Sequence, residues 1–235
     1  SYKKNADASS AMENYPVSNA FDEDIRTWWS ASTGDSREWL SVELDEGSTV
    51  NAVQVNFADN ESTLRPGSKD IFYRYRILSS NDGQSWDVIA DKSNNTADAC
   101  HDYIELEKPV RTKYIKIENV SVPDGKFSIY DLRIFGLREG SLPLQVNDFT
   151  VEPDEQDTRK AKAEWPKDDQ ATGYVVNFGV NPGKLYSSVM VYDATSVMIT
   201  GLNKDVTYYF TVDAFNESGI TRGTRVVQAM MKPGL

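Results

Sequence analysis

The chain has 235 residues, with 25 Lys and Arg against 36 Asp and Glu, giving a formal charge of −11. Hydrophobic residues make up 39% and aromatics 11%, too many for a disordered acidic tail and enough for one or two packed domains. The acidity of both halves argues against nucleic acid and anionic lipid as partners, because phosphate surfaces are tracked by clustered Lys and Arg. No apolar run approaches the roughly 20 residues that span a bilayer.

A single cysteine, Cys100, excludes an internal disulfide framework, and a single histidine, His101, excludes the usual zinc clusters. The chain opens at Ser1 with neither a methionine nor a signal peptide, and so reads as part of a longer precursor. Asn-x-Ser/Thr triplets at Asn60, Asn94, Asn119 and Asn216 fit chance in a chain rich in Asn and Ser.

Hydrophobicity repeats with period two almost throughout, the mark of strands with one buried face. From the amino terminus the alternating sets are Leu40, Val42 and Leu44; Val53, Val55 and Phe57; Tyr73, Tyr75 and Ile77; Ile115 and Ile117; Leu132 and Ile134. Turn residues separate them at Asn81-Asp82-Gly83, Asn94-Asn95 and Pro123-Asp124-Gly125. Helical spacing is absent, so the chain reads as all-β, built of short strands in sandwiches or barrels.

The stretch Arg138-Glu-Gly-Ser-Leu-Pro143 has linker composition. The predicted organisation is a domain over 1–138, a linker over 139–143 and a second domain over 144–235. In the second domain Ala161, Ala163 and Trp165, then Tyr174, Val176 and Phe178, then Tyr208, Phe210, Val212 and Ala214 alternate again, as in a small Greek-key sandwich.

The densest candidate for chemistry is Asn19-Ala-Phe-Asp22-Glu-Asp24-Ile-Arg-Thr27-Trp-Trp29-Ser30, which packs carboxylates and hydroxyls into one turn. Calcium takes six to eight oxygens at roughly 2.3–2.6 Å, and such a turn can supply several. An EF-hand loop does not fit: counted from Asp22, Thr27 falls on the invariant glycine position and Thr33 on the bidentate glutamate position. A solvated acidic turn is the plainer alternative.

Five motifs in order resemble the discoidin, or coagulation factor 5/8 type C, domain and the similar carbohydrate-binding modules of family 32. They are Asn19-Ala-Phe-Asp22 with Thr27-Trp-Trp-Ser30, Glu38-Trp-Leu-Ser-Val-Glu-Leu44, Ser80-Asn-Asp-Gly-Gln-Ser-Trp86, Lys113-Tyr-Ile-Lys-Ile117, and Ser128-Ile-Tyr-Asp131-Leu-Arg-Ile-Phe-Gly136. The resemblance covers about residues 5–137 and implies an eight-stranded jelly roll. It further implies a structural calcium ion held by Asn19, Asp22, Thr27 and nearby carbonyls, closed by Asp131 where the family usually has glutamate. Ser30 and Thr33 stand where many relatives place a sugar-binding histidine and aromatic. The remaining ligand candidates are Phe127, Arg65, His101 and Tyr103; Trp28, Trp29 and Trp39 read as core.

The second domain resembles a seven-stranded fibronectin type III module through Trp165, Leu202-Asn-Lys-Asp-Val-Thr-Tyr208 and Thr211–Gly219. Finer likeness in Arg26–Ala31, Asn51–Asp59 and His101–Leu106 is to the C-terminal accessory region of bacterial glycoside hydrolases of family 43. That likeness implies a non-catalytic region of a secreted, periplasmic or cell-surface enzyme, docking xylan or arabinan beside an upstream catalytic domain. The alternative is a spacer that packs against that domain and binds no glycan. No catalytic residue is assigned to this chain.

Overall fold

The computed structural model describes residues 1–233. The final two residues of the second predicted domain lie outside them. The chain divides into two compact units, Ser1–Arg138 and Glu139–Leu235. Among the described residues no helix is long and apolar enough to cross a membrane.

The first unit carries nine strands: β1 (Ala6–Ala8), β2 (Trp29–Ser30), β3 (Trp39–Glu43), β4 (Ser48–Phe57), β5 (Arg74–Ser80), β6 (Asp87–Asp91), β7 (His101–Arg111), β8 (Tyr114–Ser121) and β9 (Ser128–Arg138). A short 3-10 helix over Val17–Phe21 precedes β2. One sheet has the order β1-β3-β8-β5-β6 and the other β2-β9-β4-β7. The expectation of eight strands is exceeded by one, and β1 and β2 are only three and two residues long. Every pairing in the unit is antiparallel.

Period-two alternation makes the sandwich. Leu40 and Val42 of β3, Ile115 and Ile117 of β8, and Tyr75 and Ile77 of β5 face Val53 and Val55 of β4 and Leu132 of β9 in one buried cluster. Ser1 closes the unit on itself, its hydroxyl donating to the Leu132 carbonyl at 3.0 Å while accepting from the Ile134 amide at 3.3 Å. Gly136 in β9 is required by close approach, because a Cβ there would stand 2.0 Å from the Thr49 carbonyl oxygen.

The second unit holds β10 (Thr150–Pro153), β11 (Ala161–Glu164), β12 (Gly173–Gly179), β13 (Ser187–Tyr192), β14 (Ser196–Ile199), β15 (Thr207–Asn216), β16 (Gly219–Thr221) and β17 (Val227–Met230). These eight strands form a three-stranded sheet, β10-β11-β14, and a larger sheet, β13-β12-β15, flanked by β16 and β17. Trp165, Tyr174, Val176, Ile199, Phe210 and Val212 share its core. Asp213 is buried on β15, where it accepts from Arg222 at 2.7 Å and from the Gly223 amide at 2.8 Å, pinning the segment after β16.

Candidate functional site

The predicted site residues fall in three places on the first unit. Two of those places are joined, and the third is separate.

Strand β7 sends Ile104 and Leu106 inward and His101, Tyr103 and Glu105 outward. Across the sheet, β4 places Gln54 between Tyr103 and Arg133, and Asn56 between His101 and Asp131. A polar ladder follows from that register. The His101 ring nitrogen Nδ1 meets Asn56 Oδ1 at 3.1 Å, and Gln54 donates to the same oxygen at 3.3 Å. Asn56 Nδ2 donates to Asp131 Oδ2 at 3.2 Å. Arg133 lies 3.4 Å from Asp131 and 2.7 Å from Glu23 in the acidic bend. His101 of the ligand set is therefore tied through Asn56 to Asp131 of the metal set, and Asp131 reaches the bend through Arg133.

Beside the ladder, Tyr103 and Phe135 form an exposed aromatic pair, 59% and 40% accessible, with ring centroids 5.7 Å apart and planes tilted by 58°. Strand alternation sends Asp102 to the opposite face from His101, so the two make no catalytic dyad. Asp102 instead accepts from the Tyr75 hydroxyl at 2.7 Å and pairs with Lys92 at 3.3 Å. Burial, reinforced by that hydrogen bond, pushes the Tyr75 hydroxyl well above the ordinary phenol range.

The acidic bend follows the 3-10 helix. Asp22 caps it from within: Oδ1 accepts from the Asp24 amide at 2.9 Å, and Oδ2 from the Thr27 hydroxyl at 2.7 Å. Asn19 donates to the Trp28 carbonyl at 3.1 Å. Asp24 takes a two-point contact from Arg26, at 2.8 and 2.6 Å, which lowers its pKa to about 2. Glu23 sits at φ +60°, a left-handed turn position that aims its carboxylate at Arg133.

For a divalent cation the donor set is mixed. Asp22 and Thr27 present oxygens to each other, and the bend offers carbonyls, which suits a hard ion. Asp131 is only 2% exposed and already has Arg133 as counter-ion. The Nε of Arg133 is itself buried with no hydrogen-bond partner. Among the described residues no group of three or more His, Cys, Asp or Glu could hold a metal ion through side chains alone. Any ion here draws on backbone oxygens as well.

The third place is a set of loops around residues 31–37, 59–71 and 122–127. Asp124 accepts from the Thr63 amide and hydroxyl, contacts that hold its carboxyl below the usual range. Lys126 donates to the Ser32 carbonyl at 2.6 Å and lies 3.6 Å from Glu61. Arg65 is exposed.

Phe127 corrects the sequence reading. It is 0% exposed, edge-on to Trp29 at 5.6 Å and near Phe57 at 6.3 Å, so it has no face to offer a ligand. Ser30 is internal as well, bonded to Ser128 at 2.8 Å and Asn60 at 2.9 Å, and the Thr33 hydroxyl is spent on Glu38 at 2.8 Å. These loops gather polar groups without an aromatic platform. Gln54, Arg133 and Phe135 were missed as neighbours of Tyr103. Alternation in β9 marks Phe135 as opposite in face to Ile134, but only the register across β4 brings it to Tyr103.

Two antiparallel sheets, one carrying an aromatic pair beside a polar ladder on its outer face, define a β-sandwich module. The chain belongs to the F5/8 type C domain family, which matches residues 5–131. No curated protein matches it. Similar solved structures include chitosan-binding module 1 of a chitosanase/glucanase from Paenibacillus sp. IK-5, 26% identical, with 57% of this chain and 96% of that one covered and a TM-score of 0.47. Module 2 of the same enzyme, in complex with chitotriose, is 20% identical, with 57% and 98% covered and a TM-score of 0.47. The family 32 carbohydrate-binding module of Clostridium perfringens NanJ, in complex with galactose, is 22% identical, with 55% and 91% covered and a TM-score of 0.45.

Proposed function

We propose that the first unit is a non-catalytic module that docks a carbohydrate on the outer face of β9, β4 and β7. The carrying observation is the exposed Tyr103–Phe135 pair beside a row of amide, imidazole and guanidinium groups. An aromatic face meets the apolar C–H side of a pyranose, while Gln54, His101 and Arg133 address its hydroxyls. The glycan in this reading is a xylan or arabinan side chain, and the parent is a secreted or surface glycoside hydrolase. Weak docking then raises substrate concentration beside a tethered catalytic domain.

The test is titration of the 235-residue chain with arabinoxylan, arabinan and galactan oligosaccharides. Tyr103→Ala is expected to weaken binding roughly tenfold, about 1–2 kcal/mol, with the melting temperature unchanged. Absence of binding to all three at millimolar concentration leaves the spacer reading. That second reading draws on the loop end, where Phe127 and Ser30 are internal and the Thr33 hydroxyl is held by Glu38.

The second unit, in this proposal, is a fibronectin type III-like spacer. Its support is Tyr208, whose hydroxyl accepts from the Asn203 amide at 3.1 Å, the corner contact of such sandwiches, and Trp165 packed against Tyr174.

Calcium belongs to the same proposal, held by Asp22, Thr27 and carbonyls of the bend near Asn19. Asp131 would join that shell by giving up its contact with Arg133, whose unmet Nε makes it an incomplete counter-ion. Because an ion bound to the native state stabilises it by mass action, chelator is expected to lower the first unit's melting transition and leave the second in place. An unchanged melt after exhaustive chelation, with no calcium in the elemental analysis, returns the bend to a plain acidic turn.

A further inference from the structure

Sheet edges are places where unpaired amides and carbonyls invite another strand, and proteins blunt them with charge, proline, bulges or brevity. Most terminal strands here are blunted. β1 has three residues, β2 two, β16 three and β17 four. β6 carries Asp87 and Asp91, and β10 carries Glu152 and Pro153. β7 has Glu105, Glu107, Lys108, Pro109 and Arg111, with a register break against β4. β14 is uncharged but only four residues long.

Strand β13 has none of these protections. It reads Ser187-Ser-Val-Met-Val-Tyr192, with no charge and no proline. Among the described residues it ends its sheet, pairing with β12 alone, in unbroken register over all six residues. Met190 is 57% exposed, and Ser187 and Ser188 are exposed beside it.

We propose that β13 is a self-recognition edge, to which a second copy of this chain adds its own β13 in antiparallel pairing. The strand and its flanks favour that occupant. A two-fold axis normal to the sheet, lying between the two β13 strands and level with their middle, keeps inward residues inward on both copies, so Val189 and Val191 extend one apolar face. The same operation sets Met190 against or diagonal to the partner's Met190. It also carries Lys184, just before the strand, toward the partner's Asp193, just after it, so opposite charges approach at both ends while the paired stretch stays neutral. Two six-residue edges bury less than a standard interface, so the dimer is weak, with a dissociation constant on the order of 10⁻⁴ M.

Sedimentation equilibrium of the 235-residue chain over a concentration series up to millimolar reads this directly. Monomer and dimer in exchange are expected. Met190→Lys, which sets two ammonium groups together at the axis, is expected to weaken dimerisation at least about tenfold. Met198→Lys, at an exposed site on β14 in the other sheet, is expected to leave it unchanged. If Met190→Lys lowers the melting temperature, Ser188→Lys on the same strand replaces it. A chain monomeric throughout the series overturns the proposal, as does a dimer that Met190→Lys and Ser188→Lys leave at full strength.

Discussion

Phe127→Ala is expected to destabilise the first unit by about 3–5 kcal/mol, the range for emptying a buried aromatic site in a packed core. The ring is fully enclosed, and the residue is held from both sides of its backbone. Its amide donates to the Thr33 carbonyl at 3.0 Å, and its carbonyl accepts from the Ala31 amide at 2.9 Å. Those bonds fix the backbone where the Trp29 and Phe57 rings converge, so the cavity left by alanine cannot collapse by a local shift. In a two-step thermal melt the first unit's transition should fall by on the order of 10–20 °C while the second holds. Phe127→Leu, which refills part of the volume, should recover much of that loss. A Phe127→Ala protein with an unchanged melt but weaker glycan binding would return the residue to a ligand surface and overturn its place in the core.

The misreading of Phe127 shows where one-dimensional pattern stops. The residue follows Pro123-Asp-Gly-Lys126, turn chemistry that locates a surface loop correctly. Gly125 does take the left-handed conformation such a turn needs, at φ +71°. Nothing in the order of residues says that the chain dives inward one position after Lys126. Depth there is set by the approach of β2 to β9, where Trp29 pairs with Ile129. The strands themselves were legible, because an alternation such as Val53, Val55 and Phe57 registers burial at each step.

Asp131 and the acidic bend were connected only through the resemblance. More than a hundred residues separate them, and what joins them in space is Arg133, two positions along the same face of β9. Tyr103 was visible as an exposed strand residue, yet its partner Phe135 emerges only once β4 is known to lie between β7 and β9. The uncharged run of β13 was equally visible in the sequence. Its significance depends on its standing at the end of a sheet, which is a fact of topology.

Glu38 is the second position where a single change should be costly. Only 7% exposed, its carboxylate has no cation beside it among the described residues and is satisfied by hydroxyl and amide donors from distant segments. Ser9 and Ser10 donate from the start of the chain, Ser10 at 2.8 Å, and Thr33 donates through its hydroxyl at 2.8 Å and its amide at 3.2 Å. Glu38→Ala strands these donors around an empty pocket, and a loss of about 2–4 kcal/mol is expected from their desolvation and the missing charge-assisted bonds. Glu38→Gln keeps an acceptor oxygen but turns an NH₂ toward donors, so it should recover only part.

The pH dependence has a definite sign. Burial pushes the Glu38 carboxyl up, but the hydrogen bonds from Ser9, Thr33 and Ser10 outweigh it and hold the folded pKa below the ordinary glutamate range. A depressed folded pKa means the unfolded chain takes up its proton first as the solution is acidified. The stabilisation is therefore complete above the ordinary glutamate pKa of about 4.3 and is lost as pH falls through that value toward the folded one. Other carboxyls held low, Asp24, Asp82 and Asp124 among them, contribute to the same acid limb. The informative quantity is accordingly the difference between wild type and Glu38→Gln in urea midpoint at each pH. That gap should be widest at neutral pH and close on acidification, because protonation of Glu38 leaves the native protein with a neutral, poorly matched group much like the amide. A gap independent of pH would mean that the charge on Glu38 contributes nothing and that its shape alone holds Ser9, Ser10 and Thr33 together.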